Sequence, residues 1–252
     1  MPTALTLRLR PFRPWRPDTR QLHGLACTLI EQAASDHTAQ QKQFAVWPIA
    51  ADPADPHIGL ILRCAWLGDG APPFTVQAAA HLRLGSSPCT VVEVQQRDAS
   101  FVRLATGPAG TSATLQFRSP TYFSHNGQDL VVPEPRLILG SYRRRWNESL
   151  PPGFALEVSD DLWQRTHRAA QLVAYDLHTA AMDSGRGHQR VGFVGAVTLA
   201  LAADTPVEVR SAFSTLIRFA TYSGTGAQTT HGFGATTSNL NSDASSNGGA
   251  GG

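Results

Sequence analysis

The sequence predicts an α+β fold of two tandem ferredoxin-like domains, each an antiparallel sheet with helices on one face. Over roughly the first hundred residues the hydrophobic pattern gives the order β-α-β-β-α-β, which is the order of the ferredoxin-like motif. A looser copy of this pattern follows, and a length of 252 residues allows two small domains. We expect domains at residues 1–104 and 113–237, a linker at residues 105–112 and a disordered tail at residues 238–252.

The elements of the first domain are predicted from the spacing of apolar residues. Thr3–Arg10 alternates leucine with less apolar residues, which is typical of a strand with one buried face. After a proline-broken loop, Asp18 or Thr19 can cap a helix whose leucines recur at helical spacing. Further strands are predicted at Gln43–Ile49, His57–Leu67 and Cys89–Gln96, with a second helix at Pro73–Leu84.

The second domain is predicted in the same way. Its last helix opens at a capping box with proline, Thr205–Glu208, and ends at Ser223-Gly224. Earlier helices are predicted at Pro135–Trp146 and Asp160–Val173. Strands are predicted at Thr114–Phe123, the later part of Gln171–Met182, Val191–Ala202 and Gly232–Thr237.

Composition excludes several classes of protein. A hydrophobic fraction of 42% and a net charge of +2 exclude disorder of the whole chain. No stretch approaches the roughly 20 apolar residues of a transmembrane helix, and the first residues do not have the pattern of a secretory signal. Cys27, Cys64 and Cys89 are odd in number and widely spaced, so they predict no disulfide framework and no metal-binding pair. We therefore expect a cytoplasmic protein.

The basic residues suggest a polyanionic ligand. Of 21 basic residues all but Lys42 are arginine, whose planar guanidinium suits phosphate oxygens. They form two clusters: Arg8, Arg10, Arg13, Arg16 and Arg20, and then Arg143, Arg144 and Arg145. The alternative is a solvated surface in a protein from a genome that favours arginine codons, and charge alone does not decide between the two.

The segment Gly224–Gly234 has the highest density of glycine in the folded part of the chain. Four glycines interleaved with hydroxyl side chains let a backbone approach a ligand closely, and successive N–H groups can bind an anion. A nucleotide-hydrolase phosphate loop is excluded because the glycine-lysine pair is missing. The alternative is a tight helix-to-strand connection.

Several motifs together resemble those of a known family. They are Phe213–Thr236, Phe117–Phe123, Pro133-Glu134-Pro135, Gly140-Ser141, Arg145-Trp146-Asn147, Phe193–Leu199, Leu22-His23-Gly24 and Phe44–Pro48. In this order they resemble the motifs of CRISPR RNA processing endoribonucleases of the Cas-six type, in the repeat-associated RAMP superfamily. The resemblance implies two ferredoxin-like (RAMP/RRM-like) domains and a nuclease that needs neither metal nor cofactor. In that reaction the 2′-hydroxyl attacks the scissile phosphate and leaves a 2′,3′-cyclic phosphate and a 5′-hydroxyl.

The resemblance also assigns candidate catalytic residues, all in the first domain. His37 takes the central histidine position, His23 replaces a tyrosine of archaeal relatives, and Lys42 approximates their lysine. Histidine suits the work of an acid or base near neutral pH. The alternatives are a solvated loop histidine for His37 and a helix-flank histidine beside Cys27 for His23. The two histidines share a phosphate only if the helix ends near Ala34 and the chain folds back.

The expected ligand is CRISPR repeat RNA, both as precursor and as retained mature product. The candidate RNA-binding residues are Gly224, Gly226, Thr229, Thr230, His231, Gly232, Gly234, Arg13, Arg16, Arg20, Arg143 and Arg144. For His231 the alternative is a surface turn residue. Contacts with other CRISPR-associated effector subunits are left open, and no membrane partner is expected.

Two other functions are kept as alternatives. The first is a non-catalytic RNA-binding scaffold subunit of a CRISPR effector complex, which would bind repeat RNA tightly and never cut it. The second is a metal-dependent hydrolase that uses scattered histidines and would lose activity with a chelator.

Overall fold

The computed structural model describes residues 1–14, 18–30, 42–69, 76–78, 80–184 and 188–242. Within these residues the chain forms two large antiparallel sheets, each with its own hydrophobic core and helices packed against it. The predicted α+β class with two antiparallel sheets is confirmed.

The first domain contains one sheet of six described strands. These strands are β1 (Thr3–Pro11), β2 (Phe44–Val46), β3 (Ala50–Asp52), β4 (Asp55–Trp66), β5 (His81–Leu84) and β6 (Ser87–Asp98). Their spatial order is β2-β4-β1-β6-β5, and β3 pairs with β4. Helix α1 (Thr19–Ile30) follows β1.

The packing of the first domain follows the predicted leucine alternation. Leu5, Leu7 and Leu9 of β1 are buried, while most residues between them are partly exposed. They share a core with the apolar stripe of α1, which includes Leu22 and Leu25. The buried stripe fixes how α1 lies on the sheet and so where the neighbouring His23 can reach.

The second domain contains a sheet of order β10-β11-β7-β12. Its large strands are β7 (Gly110–Thr121), β10 (Gln171–Asp183), β11 (Gln189–Ala200) and β12 (Thr236–Ser242). A small hairpin joins β8 (Phe123–His125) to β9 (Gln128–Leu130). The helices are α3 (Pro135–Ser149), α4 (Asp160–Ala169) and α5 (Val207–Ser223), and a 3-10 turn spans Thr229–His231.

The short helix α2 (Phe101–Thr106) lies between β6 and β7 in the chain and packs in the core of the second domain. Trp146 of α3 is fully buried between Phe101 and Phe219, with ring centroids 5.3 Å and 5.2 Å away in edge-on geometry. The expected linker at residues 105–112 is therefore wrong, because α2 runs to Thr106 and β7 begins at Gly110. By packing, α2 belongs to the second domain.

Three other expectations about elements are wrong. A helix is expected at Pro73–Leu84, but the last four residues of this range, His81–Leu84, form strand β5. They alternate in exposure and bury Leu84 before a turn at Gly85. Within that range, residues 73–75 and 79 lie outside the described part of the chain. The helix expected to reach Val173 ends at Ala169, and all of Gln171–Asp183 is strand.

The ends of the last helix and of the chain also differ from expectation. Helix α5 begins at Val207 after Pro206 with no side-chain capping bond, so the capping box does not form. Strand β12 takes in residues 238–242 of the expected tail, because they pair with β7. Residues 243–252 are not among those described. No helix in the described part of the chain is both long and apolar enough to span a membrane.

Candidate active site and RNA-binding surface

His23 lies where the two domains meet. It belongs to α1, and its Nδ1 is 2.8 Å from the carbonyl oxygen of Thr230 in the second domain. A carbonyl oxygen can only accept, so Nδ1 carries the hydrogen and Nε2 of the neutral ring keeps a lone pair. The thiol of Cys27, one helical turn along, lies 3.4 Å from Nε2 and donates to it. The second domain thus fixes the tautomer of a histidine in the first.

His231 stacks on the His23 ring. The two imidazoles lie 3.9 Å apart between centroids and within 7° of parallel, and Phe44 stacks on His23 from a centroid distance of 5.8 Å. Burial, together with the nearby charge of His23, lowers the pKa of His231 to about 4. His231 is therefore a neutral platform near neutral pH. It lies at the domain interface, although it was expected to contact RNA.

Arg145 also connects the two domains, through hydrogen bonds to both. Its Nη1 donates to the carbonyl of Ser223, at 2.9 Å, and to the hydroxyl of Thr229. Its Nη2 donates to the carbonyls of Phe44, at 2.7 Å, and Lys42, at 3.2 Å. Burial lowers the pKa of Arg145 to about 10, which leaves it charged near neutral pH. The arginine thus holds the start of β2 against the end of α5.

The glycine-rich loop is packed inside the protein. Gly224, Gly226, Gly232 and Gly234 are all buried and have positive φ. A Cβ on Gly226 or Gly234 would collide with a backbone carbonyl, and one on Gly232 would lie 3.3 Å from Leu22 of the first domain. Several of the loop N–H groups already donate to carbonyls: those of Gly224, Thr225, Ala227 and Gly234. These glycines therefore permit close packing within the protein, and their contact with RNA stays a prediction.

The packing role of the loop glycines should appear in the free energy of unfolding. We expect Gly234→Ala to destabilise the fold by more than about 4 kcal/mol, because the added methyl meets the Thr225 carbonyl in a left-handed backbone. The matched control is Gly127→Ala, which has a φ of +77° and no atom within 4 Å of the added Cβ. That change should cost only about 1–2 kcal/mol. Equal losses in urea unfolding would contradict the packing role.

The arginine candidates differ in what surrounds them. Arg143 donates from Nε to the carbonyl of Val158 at 3.0 Å and pairs with Asp160 at 2.6 Å. Arg143 therefore holds the segment before α4, and its contact with RNA stays a prediction. Arg144 is exposed, as are Arg13 and Arg20. Arg16 lies outside the described residues.

The remaining catalytic candidates are only partly described. His37 lies outside the described residues. Lys42 is half-buried, and its backbone carbonyl accepts from Arg145. Among the described residues no group of three or more His, Cys, Asp or Glu side chains could hold a metal ion, so His23 and Cys27 have no third ligand of that kind there.

Comparison with known proteins agrees with the fold and the sequence motifs. The model of the family described as CRISPR-associated endoribonuclease Cas6 matches residues 115–236. A Cas6 product complex is 27% identical, covers 95% of this chain and 100% of the other, and has a TM-score of 0.80. The Thermus thermophilus Cas6, also in a product complex, is 26% identical over 94% of this chain and 100% of its own, with a TM-score of 0.78. No curated protein sequence matches.

An H37A mutant of the first of these Cas6 proteins is also similar, with 24% identity, 95% and 100% coverage and a TM-score of 0.71. The family match over residues 115–236 and the likeness of the fold make this chain similar to the endoribonucleases of CRISPR RNA processing. Over nearly its whole length the chain is similar to Cas6 proteins of known structure.

Proposed function

We propose that this protein cleaves precursor CRISPR RNA within its repeats without a metal ion. The 2′-hydroxyl upstream of the scissile phosphate attacks it, the 5′-oxygen leaves, and the products are a 2′,3′-cyclic phosphate and a 5′-hydroxyl. This chemistry needs a base for the attacking hydroxyl, an acid for the leaving oxygen and donors for the phosphorane. Its ligand is repeat RNA, and the same surface retains the mature product.

The contact between His23 and the Thr230–His231 turn carries this proposal. It joins the helix that carries His23 to the region that matches the endoribonuclease family. With Nδ1 bound to a carbonyl, Nε2 is the nitrogen available to a substrate, once it exchanges the Cys27 thiol for a ribose or phosphate oxygen. The stacked ring of His231, which is neutral near neutral pH, orients the His23 ring.

His37 is proposed as the main acid or base, with His23 second and Lys42 as a cation for the phosphorane. A cytoplasmic location is also proposed, since none of Cys27, Cys64 and Cys89 is in a disulfide.

The decisive experiment is cleavage of repeat RNA in excess EDTA, followed by analysis of the product ends. We expect cleavage at one position per repeat, leaving a 2′,3′-cyclic phosphate and a 5′-hydroxyl. A repeat with a 2′-deoxynucleotide just upstream of the cut should stay intact, because it lacks the attacking hydroxyl. The matched control carries the deoxynucleotide elsewhere and should be cut normally.

The possible outcomes separate the alternatives. Loss of activity in EDTA would support the metal-dependent hydrolase. Tight binding of repeat RNA without any cleavage would support the scaffold subunit. Cleavage of the substrate that lacks the upstream 2′-hydroxyl would exclude attack by that group.

A further inference from the structure

A groove lies on the second domain, beside the glycine-rich loop. It has a volume of about 650 Å³, and we call it the α3 groove. One wall is the exposed face of α3, with Arg136, Gly140 and Arg144. The opposite wall includes the β8–β9 hairpin and the loop residues Gly226 and Ala227. Trp163 of α4 also lines the groove, which is therefore built by four elements of one domain, all within the described residues.

The charges that line the α3 groove are available to a ligand. Arg136 and Arg144 are exposed, and within the described part of the chain neither makes an ion pair or a side-chain hydrogen bond. Their neighbours Arg143 and Arg145 are instead bound to protein oxygens. Glu134 is the one carboxylate among the residues that line the groove. The groove therefore offers two uncommitted guanidinium groups, which suit an anionic ligand.

The spacing of these arginines suits a chain of phosphates. Arg136, Gly140 and Arg144 are four residues apart on α3, so they fall on one broad face of the helix. The two arginines are about 12 Å apart along the axis, which places them on separate phosphates. Gly140 leaves the helix face between them without a side chain.

The α3 groove and the candidate active site share the glycine-rich loop. Ala227 lines the groove, and four residues later His231 stacks on His23. Four residues span at most about 14 Å. A single RNA strand can therefore reach from the histidine pair into the groove.

We propose that the α3 groove is an RNA subsite that holds the sugar–phosphate backbone of the strand beyond the cleavage site, with Arg136 and Arg144 each contacting a phosphate. This inference rests on the proposed function, which supplies the RNA. An acidic peptide is the other anionic polymer that two arginines attract, but the continuity with the candidate active site favours RNA.

The test measures how RNA affinity depends on salt. The probe is repeat RNA from the CRISPR array of the same genome, with a 2′-deoxynucleotide upstream of the cut so that it is not consumed. Loss of two phosphate contacts in Arg136→Ala/Arg144→Ala should reduce the slope of log affinity against log salt by about 1.4–1.8. An RNA with scrambled loop sequence should lose affinity by the same factor, because phosphates carry no sequence information.

The control is Arg83→Ala/Arg103→Ala, which removes two exposed arginines that do not line the α3 groove. The slope of log affinity against log salt in this control should stay closer to that of the unmodified protein than the slope of Arg136→Ala/Arg144→Ala does. Equal slopes in the two double variants would overturn the proposal. It would also be overturned if poly-glutamate bound at Arg136 and Arg144 while the double variant of these arginines bound RNA as well as the unmodified protein does. An unmodified protein that binds RNA without cutting it would defeat the proposed function and leave the slope test intact.

Discussion

Replacing His37 with alanine is expected to slow cleavage of repeat RNA by about 10²–10⁴-fold, which is the usual contribution of one positioned proton-transfer group. Binding of the repeat should change by no more than a few-fold, because the imidazole acts on the reacting atoms and contributes little to holding the rest of the RNA. The measurement is the single-turnover rate with saturating protein, together with the dissociation constant of an uncleavable repeat.

The control for this experiment is His81→Ala. His81 is an exposed histidine of β5 in the same domain, and its ring contacts Thr90 at 3.4 Å. The His81→Ala variant should cleave repeat RNA at the rate of the unmodified protein. An undiminished rate in His37→Ala would remove His37 from the mechanism, and a parallel loss of RNA binding would make it a binding residue.

Replacing Arg145 with methionine should lower the free energy of unfolding by about 3–5 kcal/mol. Methionine keeps much of the apolar stem but leaves the carbonyls of Ser223 and Phe44 and the hydroxyl of Thr229 without their donor. Each buried acceptor left unsatisfied costs about 1–3 kcal/mol. Urea unfolding followed by circular dichroism measures the change.

The neighbouring residue provides a matched control. Arg144→Met removes the same charge one position earlier, but that side chain is exposed, so stability should change by less than about 0.5 kcal/mol. Similar losses in the two variants would mean that charge, and not the bonds between the domains, explains the effect.

Features that depend on residues close in the chain could be predicted from the sequence. The leucine alternation of β1 and the apolar stripe of α1 determine the first core, and the structure places His23 at the edge of that stripe as expected. Strand β5 was missed because His81–Leu84 is short and alternation over four residues is a weak signal.

Features that depend on contacts between distant residues could not be predicted. Nothing near His23 in the chain indicates that it stacks on His231, since the two residues belong to different domains. Arg145 was part of a recognised motif, but its four bonded oxygens come from segments far along the chain. The sequence leaves the role of the glycines open between a ligand site and a tight connection, because composition does not distinguish close approach to a ligand from close approach to the protein itself.

The partner of His23 Nδ1 is a main-chain oxygen, that of Thr230. Any amino acid at that position presents the same acceptor as long as the turn keeps its shape. A substitution at position 230 therefore keeps this acceptor for the imidazole and removes only the contact of the Thr230 hydroxyl with His231 Nδ1, at 3.0 Å.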